Sequence, residues 1–273
     1  MDIIIRENYE QMSKHAANII AVYVKRKPNC VLGLATGATP IGTYQELIKM
    51  HKAGLDFSQV KTFNLDEYLG VGIELNKPYN IDQSYARFMY EEFFKNINIK
   101  KENIYIPDGK TKEPEKFCKW YEDEIKKAGG IDLQLLGLGG DGHWGFNEPG
   151  TSLASRTHVQ ALTKTTLADN YEAFYKKANV ERSQMPHFAI TMGIGTILDA
   201  KNILMIVNGL KKADVVAKCI EGPVTSQITS SAIQLHSGKI TVVLDESAAS
   251  KLEHIDYYKH VENLKSQYGI GEE

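Results

Sequence analysis

The sequence predicts a doubly wound α/β fold: a mostly parallel sheet with helices on both faces. Three observations carry that expectation. Short runs of Val, Ile and Leu alternate along the chain with longer amphipathic stretches, the order that βαβ units produce. Those runs are near-continuous rather than alternating with polar residues, as in strands covered on both faces, and parallel sheets are covered that way. No Pro/Gly/Ser-rich linker, internal repeat or low-complexity tract divides the 273 residues, so a single domain over 1–273 is expected.

Taken in order, Ile3 to Ile5 reads as a first strand. Gln11 to Arg26 follows with Ala16, Ile19, Ile20, Tyr23 and Val24 at helical spacing. Val31 to Leu34 is a second strand, then a turn and a helix from Pro40 to about His51. Thr39 suits the N-cap of that helix and Pro40 its first position. Val60 to Phe63 is the next strand, and helical patterns follow around Ser84 to Phe94 and over Pro114 to Lys127. Leu133 to Leu138, Phe188 to Met192, Ile203 to Val207 and Ile240 to Leu244 complete the strands, with a further helix over Ala213 to Ile220. Gly269 to Glu273 reads as a frayed end.

Composition narrows the function classes. With 42% apolar and 24% charged residues the chain is ordinary globular material, not disordered, fibrous or disulfide-stapled. Lys plus Arg is 32 against 34 Asp plus Glu, too balanced for binding nucleic acid by charge alone. Cys30, Cys118 and Cys219 are far apart and odd in number, which suits free thiols in a reducing, cytoplasmic compartment. The opening MDIIIREN has an apolar core too short for a signal peptide, and no run approaches the roughly 20 residues that span a bilayer.

In doubly wound sheets ligands bind beyond the C-terminal ends of the strands, and four such ends carry unusual residues. After the second strand comes Thr36-Gly37-Ala38-Thr39. It fits a phosphate cradle, with free backbone N–H groups at a helix N-terminus, and equally a plain, well-capped turn. After the third strand comes Asn64-Leu65-Asp66-Glu67-Tyr68. Asp66 there is either a half-buried base with a raised pKa or one of a capping or solvated acid pair. After Leu138 comes Gly139-Gly140-Asp141-Gly142-His143-Trp144-Gly145-Phe146-Asn147-Glu148. Gly137, Gly139 and Gly142 match the dinucleotide pattern G-x-G-x-x-G, but no helix can open there and no strand ending in an acid follows. His143, with Asp141 and Glu148 nearby, reads as a proton relay; the same three groups as metal ligands, or a satisfied loop histidine, are the other readings. After Val207 comes Asn208-Gly209-Leu210-Lys211-Lys212. A lysine at a helix start opposes the helix dipole and suits a bound anion. Together these groups point to acid–base chemistry on a small phosphorylated metabolite, near an isomerase or a hydrolase.

The same residues resemble the glucosamine-6-phosphate deaminase family (glucosamine/galactosamine-6-phosphate isomerases) along nearly the whole chain. The matching stretches are LGLATGATP (32–40), TFNLDEY (62–68), GLGGDGH with FNEP (137–149), SLASRT (152–157) and TMGIGTILDA (191–200). The resemblance implies a Rossmann-like domain that turns D-glucosamine 6-phosphate and water into D-fructose 6-phosphate and ammonia. It implies Asp66 as the enolisation base, His143 in ring opening with Asp141 and Glu148 as companions, and a phosphate gripped by Thr36, Gly37, Ala38, Thr39 and Lys212. It also implies no metal or organic cofactor, a lid at about 160–186 and a homo-oligomer, often a hexamer. A relative acting on galactosamine 6-phosphate or another amino sugar phosphate, and a non-catalytic sugar-phosphate-binding regulator, are the alternatives.

Three departures from the family pattern set further expectations. Where the family carries a phosphate-binding Arg in the lid, this chain reads Asn170-Tyr171-Glu172-Ala173-Phe174-Tyr175, leaving Lys176, Lys177 or Arg182 as substitutes. His158 and Gln160 stand where allosteric members carry basic residues, so weak or absent activation by N-acetylglucosamine 6-phosphate is expected. Trp144 replaces a smaller aliphatic residue and is expected to pack under its loop rather than narrow the pocket.

Overall fold

The computed structural model describes residues 1–71, 84–176 and 181–270. Its strands are β1 (Asp2–Arg6), β2 (Val31–Leu34), β3 (Lys61–Asn64), β4 (Asp66–Tyr68), β5 (Ile104–Tyr105), β6 (Leu133–Leu136), β7 (His158–Ala161), β8 (Phe188–Thr191), β9 (Asn202–Val207) and β10 (Lys239–Asp245). Its helices are α1 (Tyr9–Arg26), α2 (Ala38–Lys52), α3 (Tyr85–Glu92), α4 (Pro114–Lys127), α5 (Lys164–Asn170), α6 (Ile194–Leu198), α7 (Ala213–Ile220), α8 (Glu246–Ala249) and α9 (Ile255–Gln267).

Seven strands form one sheet in the order β1-β10-β9-β6-β2-β3-β5, and every neighbouring pair is parallel. The expected doubly wound sheet is therefore present. Its apolar runs are continuous because the strand period of two divides them between two covered faces. In β9, Leu204 and Ile206 pack with α1 and α2 through Ile20, Tyr44 and Leu47. The alternate residues Ile203, Met205 and Val207 pack on the other face with Tyr121 of α4, Ile197 of α6 and Val216 of α7. α1 shows how the sequence sets its helix: Asn8 caps it by accepting from the Gln11 N–H at 3.0 Å, and Lys25 and Arg26 complement its C-terminal dipole.

The strand order reverses between β2 and β6: from β2 the sheet continues outward through β3 and β5, from β6 through β9 and β10. Adjacent connections leave in opposite directions there and open a crevice beyond the strand ends. The turn after β2 and the glycine-rich loop after β6 flank it.

Two expectations are corrected. Phe188 to Met192 is not a strand of the large sheet. β8 pairs antiparallel with β4 and β7 in a separate three-stranded sheet, because a short apolar run reports burial but not its pairing partner. The helix after β2 starts at Ala38, with Gly37 rather than Thr39 at its cap and no side-chain cap bond. The Thr39 hydroxyl is engaged elsewhere, with Asn208. Among the described residues no helix is long and apolar enough to cross a membrane.

Candidate active site

The turn after β2 brings Thr36, Gly37, Ala38 and Thr39 to the N-terminus of α2. No side chain caps this helix and its first turn carries no acid, so its leading N–H groups and positive dipole end face the crevice without an anionic partner. From the strand on the far side of β6 comes Asn208, whose Oδ1 accepts from the Thr39 hydroxyl at 2.8 Å. Lys212 directly precedes α7, at its N-cap position. Its Nζ stands 4.0 Å from where a Cβ on Gly140 would lie, over the loop that follows β6. Thr39 and Asn208 thus meet across the crevice, and Lys212 lies over the loop after β6.

Asp66 opens β4, opposite Thr191 of β8. It is only 4% exposed, and no hydrogen bond within the described residues ties its carboxylate down. Burial pushes its pKa well above the ordinary carboxylate value, and the neighbouring Glu67 charge pushes it the same way. Strand alternation turns Glu67 to the opposite side. There its carboxylate accepts from the Ser84 hydroxyl at 2.7 Å and the Tyr85 and Ala86 N–H groups at 3.1 and 2.9 Å, holding the start of α3. The capping role open to the acid pair in the sequence falls to Glu67, which leaves Asp66 for the crevice.

The loop after β6 orders His143. Asp141 Oδ1 accepts from its Nδ1 at 2.5 Å and from its backbone N–H at 3.2 Å. With Nδ1–H committed to a carboxylate, Nε2 is the basic nitrogen. The His143 hydrogen bond holds the Asp141 carboxyl below its ordinary pKa. The buried Glu148 joins them: one ligand atom from each of the three residues lies within 4.8 Å of the other two, so the trio can also hold a small divalent cation. Glu148 accepts from the Thr163 N–H at 3.1 Å, just before α5.

The loop is bound to β8 and lies close against Asp66. Phe146 N donates to Thr191 Oγ1 at 3.0 Å, and Asn147 Nδ2 donates to the Trp144 and Met192 carbonyls, both at 2.8 Å. A Cβ on Gly145 would lie 3.0 Å from Asp66 Oδ2 and 2.8 Å from Thr191 Oγ1. Glycine is required at that contact, and it brings the candidate base against the loop that carries His143. Trp144 is 1% exposed and packs in the core, as expected of it.

The imidazole lies flat against Gly139, where a Cβ would meet His143 Nε2 at 2.4 Å. Gly139→Ala must displace the ring, and displacements on the order of 1 Å cost about 10²-fold in rate. A loss of that size with unchanged circular dichroism is the expected result; turnover within twofold of the parent would contradict it.

The described cations offered as substitutes for the lid Arg are engaged within their own segment. Lys176 pairs with Glu172 at 2.8 Å and Arg182 approaches it at 3.9 Å, while the Arg182 guanidinium stacks 4.4 Å from the Tyr171 ring centre. Both cations thus serve Glu172, and Lys177 lies outside the described residues. His158 and Gln160 bond each other at 3.1 Å across a turn of β7. Sequence reasoning offered Glu67 only as half of an acid pair and gave Thr163, Thr191 and Asn208 no role of their own, because each acts through a partner distant in sequence.

Comparison with known proteins agrees with the geometry. Residues 6–242 match the family model described as glucosamine-6-phosphate isomerases/6-phosphogluconolactonase. A glucosamine-6-phosphate deaminase of Thermoanaerobacter sp. (strain X514) is 48% identical over 251 residues, covering 92% of this chain and 94% of the relative. That of Shewanella halifaxensis is 46% identical over 274 residues, covering 99% of this chain and 100% of the relative. A solved structure described as a monomeric glucosamine-6-phosphate deaminase superposes with a TM-score of 0.84 at 42% identity, over 92% of this chain and 100% of that one. The 6-phosphogluconolactonase of Trypanosoma brucei, with a TM-score of 0.71 and 18% identity over 92% of this chain and 98% of that one, shares the fold.

Proposed function

Because the chain belongs to the family of glucosamine-6-phosphate isomerases and 6-phosphogluconolactonases, we propose that it is an amino sugar phosphate deaminase. It converts D-glucosamine 6-phosphate and water to D-fructose 6-phosphate and ammonia by acid–base catalysis. One observation carries the assignment of roles: Asp66 Oδ2 lies against the loop of His143, Asp141 and Glu148, which also has Lys212 over it, in a crevice flanked by the uncapped N-terminus of α2.

In this reading the phosphate sits on the N–H groups of Thr36 to Thr39 and on Lys212. His143, oriented by Asp141 and backed by Glu148, moves the ring-oxygen and hydroxyl protons that open the pyranose. Asp66 takes the proton from C2 of the open aldose. The C1 carbonyl oxygen gains a proton and C1 and C2 become doubly bonded. Return of the proton from Asp66 to C1 leaves an imine at C2, to which water adds before ammonia departs. Desolvation makes the Asp66 carboxylate a stronger base than one in water, and no step draws on a metal or organic cofactor.

The bond from Thr163 to Glu148 ties the segment at about 160–186 to the relay, which supports that segment as the lid. The whole chain, 1–273, works as one catalytic unit in this proposal. A reducing, cytoplasmic setting belongs to it too: all three cysteines are free and buried, and burial pushes the Cys30, Cys118 and Cys219 thiols up to about 12, 11 and 12, so none is reactive. Self-association rests on the family resemblance alone, a solved relative being described as monomeric.

The test is ammonia and ketose phosphate release from glucosamine 6-phosphate and its galacto epimer, with and without N-acetylglucosamine 6-phosphate. Release from the gluco form with a hyperbolic rate curve, unaltered by the effector, is expected. Release from the galacto form alone would overturn the substrate, and a sigmoidal curve made hyperbolic by the effector would overturn the missing activation.

A further inference from the structure

We propose that Asn208 is a phosphate-contacting residue, and that with Thr39 it forms an amide–hydroxyl pair completing the anion site across the crevice. This rests on the substrate carrying a phosphate at the turn after β2.

The pair joins two connections that the sheet keeps apart. Thr39 lies in the first turn of α2, which follows β2, and Asn208 directly follows β9, with β6 between the two strands. Their contact is the 2.8 Å bond from Thr39 Oγ1 to Asn208 Oδ1. It is the sole hydrogen bond of the Asn208 side chain within the described residues, so the amide NH₂ has no acceptor of its own. The side chain is only half-buried. Thr39 is the second residue of the helix, past the cap position at Gly37, so its hydroxyl caps nothing.

The donor count explains why such a pair is useful. A phosphate dianion offers oxygens that only accept. The start of α2 supplies backbone N–H groups and Lys212 supplies an ammonium, while Lys176 and Arg182 in the lid serve Glu172. If the Thr39 hydroxyl donates to Asn208, the amide NH₂ is turned outward as a donor. If the amide rotates by half a turn, its NH₂ donates to the Thr39 oxygen and the hydroxyl proton is released to the anion. The heavy atoms stay in place either way, and the pair always presents one N–H or O–H donor.

The position of Asn208 is itself held. Asp245, at the end of β10, accepts from the Gly209 N–H with both oxygens, at 3.0 and 2.9 Å, and caps α8 through Ala248 N at 2.7 Å. The turn that follows Asn208 is thereby fixed to the neighbouring strand, and Lys212 follows within one helical turn.

Asn208→Asp separates this role from a merely structural one. It keeps the size of the side chain and the acceptor for Thr39, but removes the NH₂ and sets a carboxylate beside the anion. A carboxylate near a helix N-terminus does not cost stability. The expected result is a rise of at least tenfold in KM for glucosamine 6-phosphate and in the Kd of fructose 6-phosphate and inorganic phosphate by calorimetry. The thermal midpoint should not fall and kcat should stay within about threefold. Asn208→Ala should cost less, about three- to tenfold in the same constants. Should the alanine variant fail to fold, Asn208→Ser takes its place and should fall between the parent and the aspartate variant. A weakening by aspartate no greater than that by alanine or serine would overturn the proposal, since the bond to Thr39 would then be all that mattered. Inorganic phosphate and fructose 6-phosphate binding is read without turnover. A parent chain that binds both but releases no ammonia therefore fails the deaminase reading and still decides this one; a parent that binds neither overturns it.

Discussion

Asp66→Asn is expected to lower the rate of ammonia release on the order of 10²- to 10⁴-fold, the range that a positioned general base contributes, while fructose 6-phosphate still binds. The carboxylate is the only part of the site offered as a proton acceptor for carbon. The amide is nearly the same size and preserves the packing against Gly145 and Thr191. Unchanged turnover would remove Asp66 from the mechanism. The same substitution should raise stability. Burial and the Glu67 charge lift the Asp66 pKa above its unfolded value. An acid with a raised folded pKa is most favourable to the fold below its unfolded pKa, and that contribution is lost as pH rises through the folded pKa. The stability gained by asparagine should accordingly grow as pH rises above the ordinary carboxylate range and vanish toward its acid end, as read by the thermal midpoint across pH. For activity the sign is reversed, because the base must be ionised. The acid limb of kcat/KM should stand above the ordinary carboxylate range in the parent enzyme.

Asp141→Asn should lose turnover on a similar scale, on the order of 10²- to 10⁴-fold, by misplacing a proton rather than removing an acceptor. The carboxylate accepts from His143 Nδ1, which leaves Nε2 basic. An asparagine amide can donate to Nδ1, which would put the ring proton on Nε2, the nitrogen that must be basic in the proposed ring opening. The His143 bond also holds Asp141 below its ordinary pKa, so this residue remains ionised throughout the range in which Asp66 titrates. The two variants therefore separate by pH profile: the acid limb of Asp141→Asn should lie where the parent's does. A limb displaced by this substitution would show that the relay, not Asp66, sets it.

How much of this was legible beforehand follows from the range of the forces involved. The central strands β2, β6, β9 and β10 were readable because each buries both faces, so the composition of a few residues announces them, whereas the two-residue, half-buried β5 went unread. The ends of α4 and α7 were readable too, from Pro114 at the start of one and the apolar spacing of the other. Asp141 and His143 lie two residues apart and their contact is local. What escaped depends on chain crossings. β4 and β7 are strands only because β8 lies between them, and neither Asp66-Glu67-Tyr68 nor His158 to Ala161 carries a β signal strong enough to stand alone. The division of labour between Asp66 and Glu67 needed that strand, since pleating alone sends adjacent carboxylates to opposite sides. Asn208 was quoted only as part of a lysine turn, because its partner Thr39 is 169 residues away. The Glu148 bond to Thr163 ties a loop after β6 to the start of α5, and the residue types alone announce neither.

One covalent detail has a selective consequence. Only Leu65 stands between the last residue of β3 and the first of β4, and its N–H and C=O are pinned to Leu34 and Met192. On the proposed roles, the turn that would anchor the phosphate, which follows Leu34, and the carboxylate of Asp66 are held through one pinned residue, a few ångströms at most. The crevice behaves as a calliper with its jaws locked. On those roles a shorter sugar phosphate seated by the same tail is expected to bind with little turnover, because its second carbon would fall short of Asp66.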